Sequence, residues 1–192
     1  MLFRLVAIML GFPVLFISAA QQQLSGAKET VESFMNFEVA GGRLGSADAQ
    51  IEPYFAKPVA LPVHPQMLVI GSPYTVWEPI KRSEIESEVN VEIVPKGQID
   101  SALRFRASSQ RYYKSSIFFR LILVQPQSGP SVQQTAGCER REPSWKIAEP
   151  DKLVVLKIEA AVKYLEKERD KTSDAKLKQN ATRSIEDLRK LE

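Results

Sequence analysis

The sequence predicts an α+β protein, with N-terminal helices packed on a curved antiparallel β-sheet and further helices at the C-terminus. Three observations predict it. Val89, Val91 and Ile93, then Leu103 and Phe105, alternate with polar residues between Ser87 and Arg106, the period-2 pattern of strands with one dry and one wet face. Val31, Phe34 and Met35 form an apolar stripe ahead of this region, closed by Gly41-Gly42, a helix and its stop. Beyond Asp151, Val154, Ile158, Ala161 and Leu165, then Leu177, Ala181, Ile185 and Leu188, recur at helical spacing among charges.

The alternating runs predict a hairpin with its turn at Pro95-Lys96-Gly97-Gln98. Pairing Val89 with Phe105 and Val91 with Leu103 puts the apolar set on one face. It sets Glu88 opposite Arg106 and Asn90 opposite Arg104 on the other, and a slip of one residue would spoil both faces. In this register Asp100 and Glu92 lie on the wet face.

In chain order, the N-terminus comes first. Met1 to Arg4 is a short positive start, Leu5 to Ile17 is apolar apart from Gly11 and Pro13, and Ser18-Ala19-Ala20 offers small residues for cleavage. That is the pattern of a secretory signal peptide, so the reading divides the chain into 1–20 leader, 21–26 linker, 27–150 α+β domain and 151–192 helical extension. The alternative is an uncleaved helix that tethers the chain to a membrane, although the apolar run falls short of the ~20 residues of a span. Ser25 is the expected N-cap of the first helix. Ser46 is the expected cap of a second, short one in which Ile51 and Phe55 share a face and which Pro53 limits.

Met67 to Ile70 is a short apolar run. Tyr74 to Ile80 reads as a strand that Pro79 either confines to an edge or ends. Arg111 to Gln125 is the longest β run, with Tyr113, Ile117, Phe119, Leu121 and Leu123 on one face and Phe118, Ile122 and Val124 on the other. Apolar residues on both faces predict cover on both sides over its second half. Pro126 to Pro143 reads as a polar loop and Ser144 to Ala148 as a closing strand. Trp77, Phe105, Phe119 and Trp145 are expected in the core. The C-terminal helices are expected to pack on the domain or to dimerise.

Composition excludes several functions. Hydrophobic content of 44% and charge of 26% are ordinary for a globular chain. A net charge of +3 neither predicts nor excludes a nucleic-acid partner; there is no dense basic block, and no such partner is expected. His64 and Cys138 are the only histidine and cysteine. One chain therefore assembles neither a His/Cys zinc site nor an internal disulfide, and no metal or cofactor is expected. Cys138 beside Arg140 and Arg141 reads as a loop thiol. His64 between Pro62 and Pro65 reads as a loop residue, and no nucleophile-elbow motif accompanies it.

The glycine-ended first helix with Gly41-Gly42-Arg43-Leu44, the Ile51-to-Pro58 segment, the strands from Glu88 to Val124, and Trp145-Lys146-Ile147 together resemble the NTF2-like (cystatin-related) α+β superfamily over roughly Ala27 to Pro150. The resemblance implies a cone whose curved sheet wraps a helix and leaves a pocket. It also implies that some members are isomerases or hydratases with an aspartate base and a tyrosine donor. The corresponding candidates here are Asp100 with Tyr112, Tyr113 or Tyr74. A carboxylate base needs a partly dry site, and the hairpin register puts Asp100 on the wet face. The sequence therefore predicts an exported, non-catalytic domain acting through a protein partner or a small apolar ligand. The alternatives are a small-molecule isomerase or hydratase, and a self-assembly module joined through its C-terminal helices.

Overall fold

Residues 19–45, 48–71, 73–109, 113–125 and 143–191 are described in a computed structural model of the chain. Residues 1–18 of the expected leader (1–20), Ser46, Tyr112 and Cys138 lie outside these residues, and Ala19 and Ala20 open α1. In order, the elements are α1 (Ala19–Val39), α2 (Gly42–Gly45), α3 (Asp48–Ile51), β1 (Met67–Ile70), β2 (Thr75–Val76), β3 (Ile80–Lys81), β4 (Glu86–Ile93), β5 (Pro95–Ile99), β6 (Phe105–Ala107), β7 (Ser115–Val124), β8 (Ser144–Glu149), β9 (Val154–Lys157), α4 (Ile158–Lys171) and α5 (Ala175–Arg189). The architecture is α+β, with helices at both ends of the chain.

The strands form two sheets. One runs β2-β4-β7-β8, with β3 also on β4; the other runs β6-β5-β1-β9. Pairing is antiparallel except between β1 and β9, which run parallel. In the five-stranded sheet Val89, Val91, Ile117, Phe119, Leu121, Trp145 and Ile147 face inward. They meet Ala27, Val31, Phe34, Met35 and Val39 of α1 in one core. The four-stranded sheet is covered on both faces. Ile70 and Val155 turn to that same core, whereas Met67, Val69, Val154 and Leu156 turn to a second core with Leu165, Ala181, Ile185 and Leu188 of α4 and α5. The C-terminal helices thus pack on the domain. Asp174 caps α5 by accepting hydrogen bonds from the Lys176 and Leu177 N–H groups, which satisfies two otherwise orphaned donors.

The structure corrects the hairpin. β4 pairs with β7, so Val89 lies opposite Phe119, Glu88 opposite Arg120 and Asn90 opposite Phe118. Pro95 to Gln98 is no turn; it belongs to β5, which pairs with β1 and with β6. The chain changes sheets at Val94-Pro95, and just beyond it β5 carries a bulge at Lys96 against β1. Gly97 signals a turn in the sequence but serves close packing: a Cβ there would lie 2.3 Å from the Arg106 carbonyl oxygen and 2.5 Å from the Phe105 ring. The turn proper is Asp100 to Arg104. Both pairings satisfy the same alternation, so local pattern cannot choose between them.

Other boundaries move for local reasons. Residues 21–26, expected as linker with Ser25 as cap, are helical, because nothing from Gln21 to Ser25 breaks a helix. Gly26 lies within it and faces Trp145, whose Cδ1 would be 3.4 Å from an added Cβ. The second short helix ends at Ile51, before Pro53, leaving Phe55 to bridge Ile147 instead of sharing a helical face with Ile51. The strand expected from Tyr74 to Ile80 is broken into β2 and β3. Val154 belongs to a strand, not to the helical stripe that begins at Ile158. Phe119 and Trp145 are buried, Phe105 is half-buried, and Trp77 is exposed rather than in the core. Phe118 and Val124 are exposed too, so the cover expected on the outer face of β7 is not found among the described residues.

Candidate functional site

Asp100, the expected base, is a turn former. Its Oδ1 accepts hydrogen bonds from the Ala102 and Arg104 N–H groups at 3.0 and 3.1 Å, and its Oδ2 accepts from Arg104 Nε at 3.0 Å. Partial burial pushes its pKa up, and these hydrogen bonds outweigh it and hold the carboxyl below its ordinary value. That is the opposite of what a general base near neutral pH requires. The turn itself is clamped to α5. Asn180 Nδ2 donates to the Ala102 carbonyl at 2.8 Å, while Ser184 Oγ donates to the Leu103 carbonyl at 2.9 Å and accepts from the Phe105 N–H at 2.7 Å. Leu103 adopts φ 60° there with its side chain fully buried. A left-handed leucine costs about 1–2 kcal/mol, which its burial in the second core offsets.

The described tyrosine candidates, Tyr113 and Tyr74, do not join Asp100. Tyr113 is exposed ahead of β7, in the other sheet. Tyr74 donates to Asn36 Oδ1 at 2.6 Å. Burial and the neighbouring Glu32 raise its pKa. Tyr74 lines an open cleft of about 360 Å³ with Glu32, Asn36, Pro73, Val76 and Lys157. A second open cleft of about 350 Å³ follows it past Pro73 and Lys157 to Lys96, Ile158 and Leu191. Both have charged side chains in their walls.

Two polar clusters escaped the sequence reading of function. Glu38 and Arg43 form a buried bidentate pair, Nε to Oε2 at 2.8 Å and Nη2 to Oε1 at 2.6 Å. Arg43 also donates to the carbonyls of Asp151 and Leu153, and Glu38 Oε1 accepts from the Val155 N–H at 3.2 Å. The guanidinium carbon lies 5.3 Å from both the Phe34 and Phe55 ring centroids. With these partners filled, the pair ties α1 and α2 to the approach of β9, a structural role. The five-residue separation of Glu38 and Arg43 across Gly41-Gly42 was its only signal. In the other cluster His64 lies in a loop, as expected, and its side chain meets α4, with Nδ1 3.5 Å from Tyr164 Oη and 3.6 Å from Glu168 Oε2. Burial, then Glu168, raises the Tyr164 pKa. No group of three or more His, Cys, Asp or Glu side chains among the described residues is placed to hold a metal ion.

The remaining feature is the outer face of the five-stranded sheet. Val76 opposite Val91 fixes the register of β2, and the Trp77 N–H donates to the Asn90 carbonyl at 2.8 Å. Trp77, Asn90 and Phe118 therefore form one row across β2, β4 and β7. Trp77 is 52% and Phe118 57% exposed. Asn90 Oδ1 between them is shut off from solvent and has no hydrogen-bond partner among the described residues. The next row is Ile80, Glu88, Arg120 and Glu149, and Ile80 is exposed as well. Lys114 reaches Glu92 at 2.6 Å, Arg82 reaches Glu88 at 2.8 Å, and Arg120 reaches Glu149 at 3.1 Å. Apolar contact surface framed by paired charges is what this face offers chemically.

No family model matches the chain, and no curated protein or solved structure matches it either. No helix among the described residues is long and apolar enough to cross a membrane.

Proposed function

We propose that the chain is an exported, non-catalytic interaction domain acting through a protein partner, with the outer face of the five-stranded sheet as its contact surface. The observation that carries this reading is the exposed Trp77–Asn90–Phe118 row on a face that no helix among the described residues covers. Exposed aromatics at the centre of a patch, rimmed by charge, are the composition of a protein contact. A small apolar ligand has less support, because both clefts are open and edged with lysine and glutamate. The isomerase or hydratase alternative has no observation in its favour, since Asp100 is engaged within its own turn. Self-assembly through the C-terminal helices is disfavoured by the burial of their apolar stripe against the protein's own sheet. The long helix α1 across an antiparallel sheet keeps the NTF2-like kinship within the proposal. Export rests on the leader pattern of residues 1–20, and sequencing the mature N-terminus tests it: Gln21 as first residue is expected, and retention of Met1 removes the claim.

The contact surface is tested by affinity capture from the compartment where the chain resides. The wild type and a Trp77→Ala/Phe118→Ala variant are compared by quantitative mass spectrometry. The reading expects a protein held by the wild type and lost by the variant. An identical captured set removes it.

A further inference from the structure

We infer that the occupant of the bare sheet face is a second copy of this chain, docked about a two-fold axis that runs parallel to the strands between β4 and β7. The inference rests on the interaction reading above and names its partner. Both edges of the sheet are poor templates for strand addition. β2 and β3 are two residues each with Pro79 between them, and β8 already exchanges hydrogen bonds at Ile147 with Tyr54 and Ala56. Association through this sheet is thus by face rather than by edge.

Charge chooses the partner and the axis. The outward column of β4 is acidic, with Glu86, Glu88 and Glu92 about Asn90. The column beside it carries Lys114, ahead of β7, and Arg120. Rotation about an axis parallel to the strands brings β4 over β7 of the second copy at unchanged height. Glu88 then faces Arg120 of the other chain, Arg120 faces Glu88, and Phe118 faces Asn90 beside Trp77. An isologous interface makes each contact twice, so the acidic and basic columns are complementary to themselves. An axis perpendicular to the strands would instead set Glu88 over Glu92, like charge on like charge, which costs affinity. Sheets packed face to face with nearly aligned strands are an ordinary arrangement.

The test is sedimentation equilibrium of the full chain over micromolar concentrations. The wild type is expected to dimerise reversibly. Arg120→Glu and Phe118→Glu should each weaken the dimer about tenfold or more. Glu88→Arg combined with Arg120→Glu should restore it, because the swap reinstates the opposed pairs across the axis. If Arg120→Glu fails to fold, hydrogen exchange on the wild type decides: amides of residues 116–120 must gain protection as the dimer forms, and unchanged exchange there overturns the inference. So does a dimer indifferent to both variants, or a swap no better than Arg120→Glu. A monomeric wild type that still captures a foreign protein through Trp77 and Phe118 overturns the second copy and leaves the interaction reading standing. A monomer whose captured set ignores those residues removes both.

Discussion

The two sheets of this protein are built from similar alternating strands and end in opposite surroundings. The four-stranded sheet is packed on both faces, by α1 and its core on one side and by α4 and α5 on the other. The five-stranded sheet shares the first core on its inner face and leaves Trp77, Ile80 and Phe118 exposed on its outer face. The difference teaches where stability and recognition reside. Residues at the covered sheet are held by burial on every side. Those on the bare face are large apolar groups that the fold itself does not use.

The comparison can be broken by mutation. Glu38→Ala would leave Arg43 buried without its carboxylate, and the loss should be about 3–5 kcal/mol by urea unfolding. A loss under about 1 kcal/mol would mean that the link from α1 to β9 is not needed. Leu165→Ala, at the centre of the core under the covered sheet, should cost about 2–5 kcal/mol.

Asp100→Asn should cost about 1 kcal/mol at neutral pH through the weakened turn. Because the Asp100 pKa is lowered on folding, its contribution is full above the unfolded value and is lost as pH falls through the folded one. The stability gap between wild type and Asp100→Asn should therefore narrow in acid, below about pH 4. A gap that widens there would contradict the assignment.

The smallest effect should come from the bare face. Phe118→Ala is expected to change monomer stability by no more than about 0.5 kcal/mol, despite removing an aromatic from the middle of the longest strand. A loss comparable to Leu165→Ala would show that the face is part of the core.

Much of this layout was legible in the sequence. The α1 stripe of Val31, Phe34 and Met35, the stop at Gly41, the inward set of β7 and the helical stripes of α4 and α5 follow from periodicity and local propensity, which depend on near neighbours. Strand partners were not legible. The alternation of Val89, Val91 and Ile93 accepts any apolar strand of matching register, and Phe105 satisfied it on paper as well as Phe119 does in the fold. The candidate site suffered with it. Asp100 was placed on a strand face, whereas it closes a turn against α5; Trp77 was read as core and the Phe118 face of β7 as covered, because composition cannot say which face lacks a cover.

Sequence by itself determined which residues would share a face along most strands and helices, since a side chain's direction follows from the period of its own element. Only the tertiary structure decided what those faces meet: β4 on β7, β5 on β1, β9 beside β1, α4 and α5 over one sheet and, among the described residues, no helix over the outer face of the other. The physical reason is that apolar burial is non-directional and rewards any well-filled partner equally. The choice among partners rests on chain connections, close approaches such as Gly97 under Phe105, and buried ties such as Glu38 to Arg43.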